Sequence, residues 1–442
     1  METTVSVNLA ILADDFTGAN DTAVQFAKKG FCTGVTLDST VAETALRRFT
    51  VLAVDTETRF DSAQLAFRKT HAAVAQLHAA AVRRFYKKVD STMRGNPGSE
   101  IEAVLDAADL PLAILAPALP SHGRTTLAGQ CLVNGVPVSQ TEFGRDPRTP
   151  VSDSSIAAIL AAQCSCPVDI LELQTVRRGA EQLFSRLQTL TADGRRHIAV
   201  LDAESSTDLE LIGRCIALFA QPPLAAGSSG LADYLVVPRT APSTDHQHGE
   251  SPAGSVPRGS ARRGPALIVV GSVSQTAAAQ IEHAVSARSD LCELRLDPAA
   301  AVHNPQRERN RLRQLYLLTR SRGVPAILRS THPADSGRLS PEQIARCIGR
   351  LIGDIVVHHP PGGLMLSGGD TAIKTAAALG CSGFAIDGEV LPGIPCGRFI
   401  VEPGTRPYAA GVQHIPVVTK AGGFGHRDAI VRILHYLEEC TS

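Results

Sequence analysis

The sequence predicts an α/β protein of two domains, each a mainly parallel sheet flanked by helices, with a ligand cleft between the domains. Three observations carry this. Short apolar runs alternate with Ala-rich segments of helical spacing, and continuous apolar strands separated by helices belong to parallel sheets covered on both faces. At 442 residues the chain is longer than one average core organises. Between Val237 and Pro265 the composition breaks into "VPRTAPSTDHQHGESPAGSVPRGSARRGP". That stretch has no apolar period and cannot bury enough surface to offset the entropy of ordering it. The domains expected are residues 1–237 and 265–442, joined by a linker of residues 238–264.

The strands of the first domain are read at Val7–Ala13, Val51–Val54, Phe85–Val89, Leu112–Ala116 and Ile198–Leu201, each a short run rich in β-branched residues, Leu or Ala. Those of the second are Ala266–Val270, Ala326–Leu328 and Gly363–Leu366. Helical spacing is clearest over Ser62–Arg84 and Gln275–Ala287. In "GQCLVNGVPV" an Asn-Gly dipeptide between short apolar runs predicts a hairpin.

Composition excludes several function classes. An apolar fraction of 44% can fill two cores, and 43 Lys+Arg balance 43 Asp+Glu, so no global field recruits nucleic acid or an anionic membrane. No apolar run approaches the roughly 20 residues that span a bilayer. The first apolar run meets Asp14-Asp15 at once, unlike a signal peptide. The ten cysteines are scattered, Cys164 and Cys166 forming the one close pair, and none has zinc-site spacing. Thiols in a reducing cytoplasm are the expectation. No metal ligands are nominated, and homo-oligomerisation is left open.

The chemistry of the first domain lies just beyond its strands, where ligands bind in parallel sheets. "ADDFTGAND" puts Asp14 and Asp15 after the first strand. Adjacent acids there can accept hydrogen bonds from a polyol, orient a metal ion or take a proton. Helix capping explains one polar residue at such a place, not four. "VDTETRF" puts Arg59 after the second strand, where a guanidinium can grip a carboxylate with two parallel hydrogen bonds. "KKVDSTMRGNPGSE" crowds Lys88, Asp90, Ser91, Thr92, Arg94 and Asn96 at the end of the third, a mixture suited to a small, hydroxylated anion. "SHGRTT", residues 121–126, and the hairpin after it would add one wall.

The second domain carries a strand–glycine turn–helix plan three times: at Gly271-Ser272-Val273-Ser274, at Gly368-Gly369-Asp370-Thr371, and at Lys420 with Gly422-Gly423. Glycines admit close backbone approach and helix N-termini present free N–H groups, so three such turns together would cradle nucleotide phosphates. Neither GxxxxGK[ST] nor a GxGxxG dinucleotide fingerprint occurs.

Taken in order, "LADDFTGANDTA", "DTETR", "KKVDSTMRGN", "GRTT", "GSSGLA", "GSVS", "SGGDTA" and "TKAGGFG" resemble the four-carbon acid sugar kinase family over nearly the whole chain. The resemblance implies an N-terminal domain that binds a tetronate-type acid and a C-terminal domain that binds ATP, with Mg²⁺. The reaction implied is phosphorylation of the C4 hydroxyl. The "KKVDSTMRGN" form looks more like the D-threonate and D-erythronate kinases than the 3-oxo-tetronate branch, and D-threonate is preferred. The acid's contacts are then Asp14, Asp15, Arg59, Lys88, Asp90, Ser91 and Arg94, with Arg59 and Arg94 as carboxylate clamps. Those of ATP are Ser272, Gly368, Gly369, Asp370, Thr371 and Gly422. The base is Asp15 or Asp370, Asp15 first. Two other classes compete: a non-catalytic two-domain ligand-binding protein, and an NAD-dependent oxidoreductase, against which the missing GxGxxG argues.

Overall fold

Every strand read from the sequence forms, and in the first half those of the large sheet pair entirely in parallel. The computed structural model describes residues 7–146, 148–239, 264–330, 340–401 and 407–440. Apart from residues 238, 239 and 264, the expected linker lies outside the described residues. The chain divides into two compact units, Met1–Asp245 and His246–Ser442.

In chain order the first unit contains β1 (Leu9–Ala13), β2 (Thr33–Thr36), β3 (Val51–Asp55), β4 (Phe85–Lys88), β5 (Leu112–Ala116), β6 (Arg124–Leu127), β7 (Gln130–Val133), β8 (Val136–Pro137), β9 (Val168–Leu171), β10 (His197–Leu201) and β11 (Leu224–Gly227). Eight of these form one sheet in the order β2-β3-β1-β4-β11-β5-β10-β9, all parallel. All residues of β1, β3, β4, β5 and β10 are buried, as helices on both faces require. From β1 the chain winds outward to β2 and β3, then crosses back to β4 on the other side. The carboxyl end of β1 is therefore the switch point where parallel sheets bind ligands.

The expected hairpin forms across Asn134-Gly135, whose φ values of +50° and +78° suit that dipeptide. It belongs to a three-stranded antiparallel sheet, β6-β7-β8. Buried Asp202, at the end of β10, fixes this sheet to the large one. Its carboxylate accepts from the backbone N–H groups of Ala128 (2.6 Å), Gly129 (3.0 Å) and Leu173 (3.2 Å).

The second unit contains β12 (Leu267–Val270), β13 (Cys292–Leu296), β14 (Ala326–Ser330), β15 (Leu364–Ser367), β16 (Gly383–Leu391), β17 (Ile394–Ile400) and β18 (Val417–Lys420), in the order β13-β14-β12-β15-β18-β17-β16. The first five in that order are parallel, and β17 and β16 close the row antiparallel. The Gln275–Ala287 helix has the bounds its periodicity predicts, started by the Ser274 hydroxyl on Ala277 N–H at 3.1 Å. The Ser62–Arg84 segment is helical only over Ala63–Ala79, because Ala81 turns to φ +66° and leads the chain away. No described helix is long and apolar enough to cross a membrane.

Replacing Asp202 by Ala leaves three backbone donors without their acceptor. It is expected to lower stability by about 2–4 kcal/mol, measured as an earlier urea midpoint for the first unit. An unchanged midpoint would mean that water replaces the carboxylate.

Candidate functional site

The β1–β3 register sets Ala13 opposite Asp55, so Asp14 and Asp15 leave the sheet level with Thr56. Asp14 is 3% exposed. Asp15 caps the Phe16–Lys28 helix, its Oδ1 accepting from Gly18 N–H at 2.9 Å. Arg59 reaches both acids from the loop after β3. Its Nε and Nη2 bond Asp14 at 2.7 and 2.9 Å, and its Nη1 and Nη2 bond Asp15 at 2.7 and 2.9 Å. Four of the five guanidinium N–H groups are thereby committed within the protein. A two-bond grip on a ligand's carboxylate, expected of Arg59, is not open to it in this arrangement; its fork holds Asp14 and Asp15 instead. Burial raises the Asp14 carboxyl, but Arg59, Lys87 and Lys88 outweigh it and hold the group below its ordinary value.

Beneath this cluster lies a buried ion pair. Lys87 Nζ contacts Glu100 Oε2 at 2.9 Å and donates to the carbonyls of Leu12 (3.1 Å) and Lys88 (2.7 Å). Glu100 Oε1 accepts from Thr58, whose hydroxyl also meets that of Thr56 at 2.8 Å. This pair braces β1 against the loop after β3, because every donor on Lys87 has a partner.

Lys88 is different. It is 5% exposed, yet no acceptor lies within hydrogen-bonding distance of its Nζ among the described residues. It lies against Gly18, where a Cβ would come within 2.9 Å of the ammonium and 2.6 Å of Asp15 Oδ1. An unpaired ammonium so deeply buried favours an anion beside it.

Asp90 is paired in two directions. Arg94 Nε and Nη2 bond its two oxygens at 3.0 Å each, while the Thr92 hydroxyl and N–H bond Oδ2. Burial works against the Asp90 charge, but Arg94, Arg59 and Lys88 together hold the carboxyl well below its usual range. Arg94 also reaches Asp146 at 3.4 Å, so it too is committed within the protein, and as a clamp for a ligand's carboxylate it stands no freer than Arg59. The backbone carbonyl of Ser91 accepts from Cys131 Sγ at 3.5 Å, which ties the small sheet to this loop.

In the second unit the three glycine turns meet, since β12 and β15 are neighbours and so are β15 and β18. Gly271 N–H bonds Ser367 carbonyl at 3.0 Å, and Gly368 N–H bonds Lys420 carbonyl at 2.9 Å. A Cβ on Gly271 would lie 1.9 Å from Thr371 Oγ1, and one on Gly422 would lie 2.0 Å from Ser272 Oγ. Glycine is thus required at those two places by neighbouring side chains. Gly368 has φ +107° and offers no side-chain cap to the Gly369–Leu379 helix. A helix start of this kind suits phosphate oxygens.

The third turn departs from the plan. Its helix begins only at Ala429, and residues 421–428 form a loop. Lys420 shapes that loop by donating to the carbonyls of Ala421 (2.8 Å), Gly422 (3.3 Å) and Phe424 (3.0 Å). Burial pushes its ammonium down to about 8. Gln280 Nε2 binds the carbonyls of Phe424, Gly425 and His426 at 2.9 to 3.0 Å. Among the described residues no three His, Cys, Asp or Glu side chains converge as metal ligands.

Sequence reasoning missed Asp55, Lys87 and Glu100, and met Arg124 only as part of the "SHGRTT" wall. Asp55 looks like the last residue of a strand, but it is buried and faces Asp14, Asp15 and Glu57; burial first, then those charges, raises its carboxyl well above the ordinary value. The "GSSGLA" segment is structural: the Ser228 hydroxyl donates to Ala118 carbonyl at 2.7 Å and accepts from Gly230 N–H.

Comparison with known proteins assigns the two units to described families. Residues 9–235 match the family described as "Sugar-binding N-terminal domain" and residues 267–430 the "Nucleotide-binding C-terminal domain". A Salmonella typhimurium D-threonate kinase is 36% identical, over 98% of this chain and 99% of its own. A Heliobacterium modesticaldum D-erythronate kinase is 31% identical, over 97% of each chain. A solved Haemophilus influenzae protein has the same fold, with a TM-score of 0.72 at 23% identity over 98% of this chain and all of its own.

Asp55 gives a test of the site's charge balance. A carboxyl raised on folding stays protonated where the unfolded chain ionises, so it costs stability increasingly as pH rises above about 4, the unfolded value. Asp55→Asn removes that cost. Its Tm should exceed that of the unaltered chain by a margin that widens from about pH 4 to about pH 7. Parallel Tm profiles would show that Asp55 is ionised in the folded chain.

Proposed function

The chain belongs to the four-carbon acid sugar kinase family, and from that premise we propose that it transfers the γ-phosphate of ATP to the C4 hydroxyl of a four-carbon sugar acid, D-threonate first. The observation that carries this reading is the company Lys88 keeps: a buried ammonium without a hydrogen-bond partner among the described residues, beside the Asp14 and Asp15 carboxyls that Arg59 bonds. A sugar acid brings one negative charge and several hydroxyls. Lys88 adds positive charge beside the ligand, and the hydroxyls have fixed acceptors in Asp14, Asp15 and Asp90.

Phosphoryl transfer is mostly positioning and charge stabilisation. In the first unit Arg59 orients Asp14 and Asp15, and Arg94 orients Asp90. Asp15 Oδ1 already accepts two hydrogen bonds and Oδ2 one, so Oδ2 can accept another from a substrate hydroxyl. That makes Asp15 the preferred base. In the second unit the N–H groups of Gly369, Asp370 and Thr371 would face phosphate oxygens, with Ser272 and Gly422 forming the opposite wall. A Mg²⁺ ion held by phosphates takes few protein ligands, and Asp370 is the carboxylate placed to supply one; such an ion would neutralise charge on the phosphates. D-erythronate and 3-oxo-tetronate are the alternative acceptors.

Incubation with ATP and each four-carbon sugar acid should release ADP fastest with D-threonate. Absence of ADP with every tetronate would leave a binding protein without catalysis. In single-turnover experiments with both substrates saturating, Asp15→Asn should slow transfer by about 100-fold or more, the range of general-base catalysis. Near-normal transfer in Asp15→Asn combined with loss in Asp370→Asn would reverse their roles.

A further inference from the structure

Arg124, the first residue of β6, differs from the other arginines around the site. Arg59 and Arg94 are each paired with carboxylates in two-bond fashion. None of Arg124's guanidinium N–H groups has an acceptor among the described residues, and its Nη1 is shut off from solvent without a partner. It lies over the face of Phe143, 4.6 Å from the ring centre, and Arg94 lies 5.2 Å from the same centre. A flat aromatic surface holds a guanidinium in one plane and leaves its N–H edge to bind something else.

That edge belongs to the same site. The small sheet carrying Arg124 is tied to the Asp90–Arg94 loop through Cys131 and Ser91, and to the end of β10 through Asp202 and the Thr126–Ala203 pairing. Asp90 lies within electrostatic reach of Arg59, Lys88, Arg94 and Arg124 alike. Desolvation presses the Arg124 charge downward, while Asp90 and Glu142 oppose it without bonding it.

We propose that Arg124, held flat on Phe143, binds the carboxylate of the sugar acid in a two-bond pair and so selects acids over neutral polyols. This rests on the kinase reading above. It moves the clamp role from Arg59, whose donors Asp14 and Asp15 occupy, to the guanidinium of this cluster that has no partner. Lys88 then faces the hydroxyl end of the ligand beside Asp15.

The test is steady-state kinetics of Arg124→Ala and Arg124→Lys with D-threonate and ATP varied separately. Losing a charge-assisted pair should raise KM for D-threonate about 10- to 100-fold in Arg124→Ala. KM for ATP and kcat at saturation should stay within about threefold, and Arg124→Lys, which keeps charge without the fork, should fall between. Should Arg124→Ala not fold, Arg124→Lys carries the same split. An unchanged KM for D-threonate overturns the assignment. So does a rise confined to ATP, which would give the guanidinium to a phosphate, or an equal fall in kcat for all conditions, which would mark a purely structural role. If the unaltered protein turns over no tetronate, the kinase reading fails and this inference fails with it.

Discussion

Two adjacent carboxylates at the end of a buried strand repel each other and resist desolvation, and the guanidinium of Arg59 makes them tolerable. The bridge from Arg59 to Asp14 and Asp15 fixes the geometry of everything around it. It needs close packing on both sides. Gly95, at φ +88°, lies where a Cβ would come 3.2 Å from Asp14 Oδ2, and Gly18 leaves room for Asp15 and Lys88. It also sets the local charge. Burial first, then the charges of Asp15, Glu57 and Asp14, raises the Asp55 carboxyl, and Lys88 is left without a hydrogen-bond partner among the described residues. A set of carboxyl acceptors fixed by Arg59 and Arg94 beside the Lys88 ammonium suits a ligand that carries hydroxyls and one negative charge.

The second unit works by backbone rather than by charge. Its turns are compact because side chains of one fill the space above glycines of the next: Thr371 over Gly271 and Ser272 over Gly422. The Lys420 ammonium and the Gln280 amide knit the 421–426 carbonyls into a fixed wall. The Gly369–Leu379 helix starts there without a side-chain cap, the kind of helix start that suits anionic oxygen.

Much of this was legible in the sequence. Strands such as "LAILA" at Leu9–Ala13 and Leu112–Ala116 are apolar throughout, and burial on both faces of a parallel sheet demands that pattern. Most strands that escaped notice are polar, small or at sheet edges: "TGVT" of β2, "LAAG" of β11, "VDIL" of β9 and "CELRL" of β13, with the antiparallel β16 and β17 besides. The positions of Asp14, Asp15, Lys88 and Asp90 followed from strand ends. Their partners did not, because pairing is decided in three dimensions. Nothing in "DTETR" shows that Arg59 folds back onto residues 44 and 45 positions earlier, or that Arg124 ends without an acceptor among the described residues. Asp55 was hidden for a similar reason: burial first, then charges such as Asp14 and Asp15 beyond another strand, raise its carboxyl.

Equilibrium binding of D-threonate to the full-length chain, measured calorimetrically without nucleotide, tests the central claim most directly. The account predicts that the unaltered chain binds and releases heat, and that Lys88→Met, which removes the unpaired ammonium but keeps its packing, loses at least about 1.5–3 kcal/mol of affinity, the worth of a charged hydrogen bond. Binding of D-threonate by Lys88→Met as tight as by the unaltered chain would contradict it.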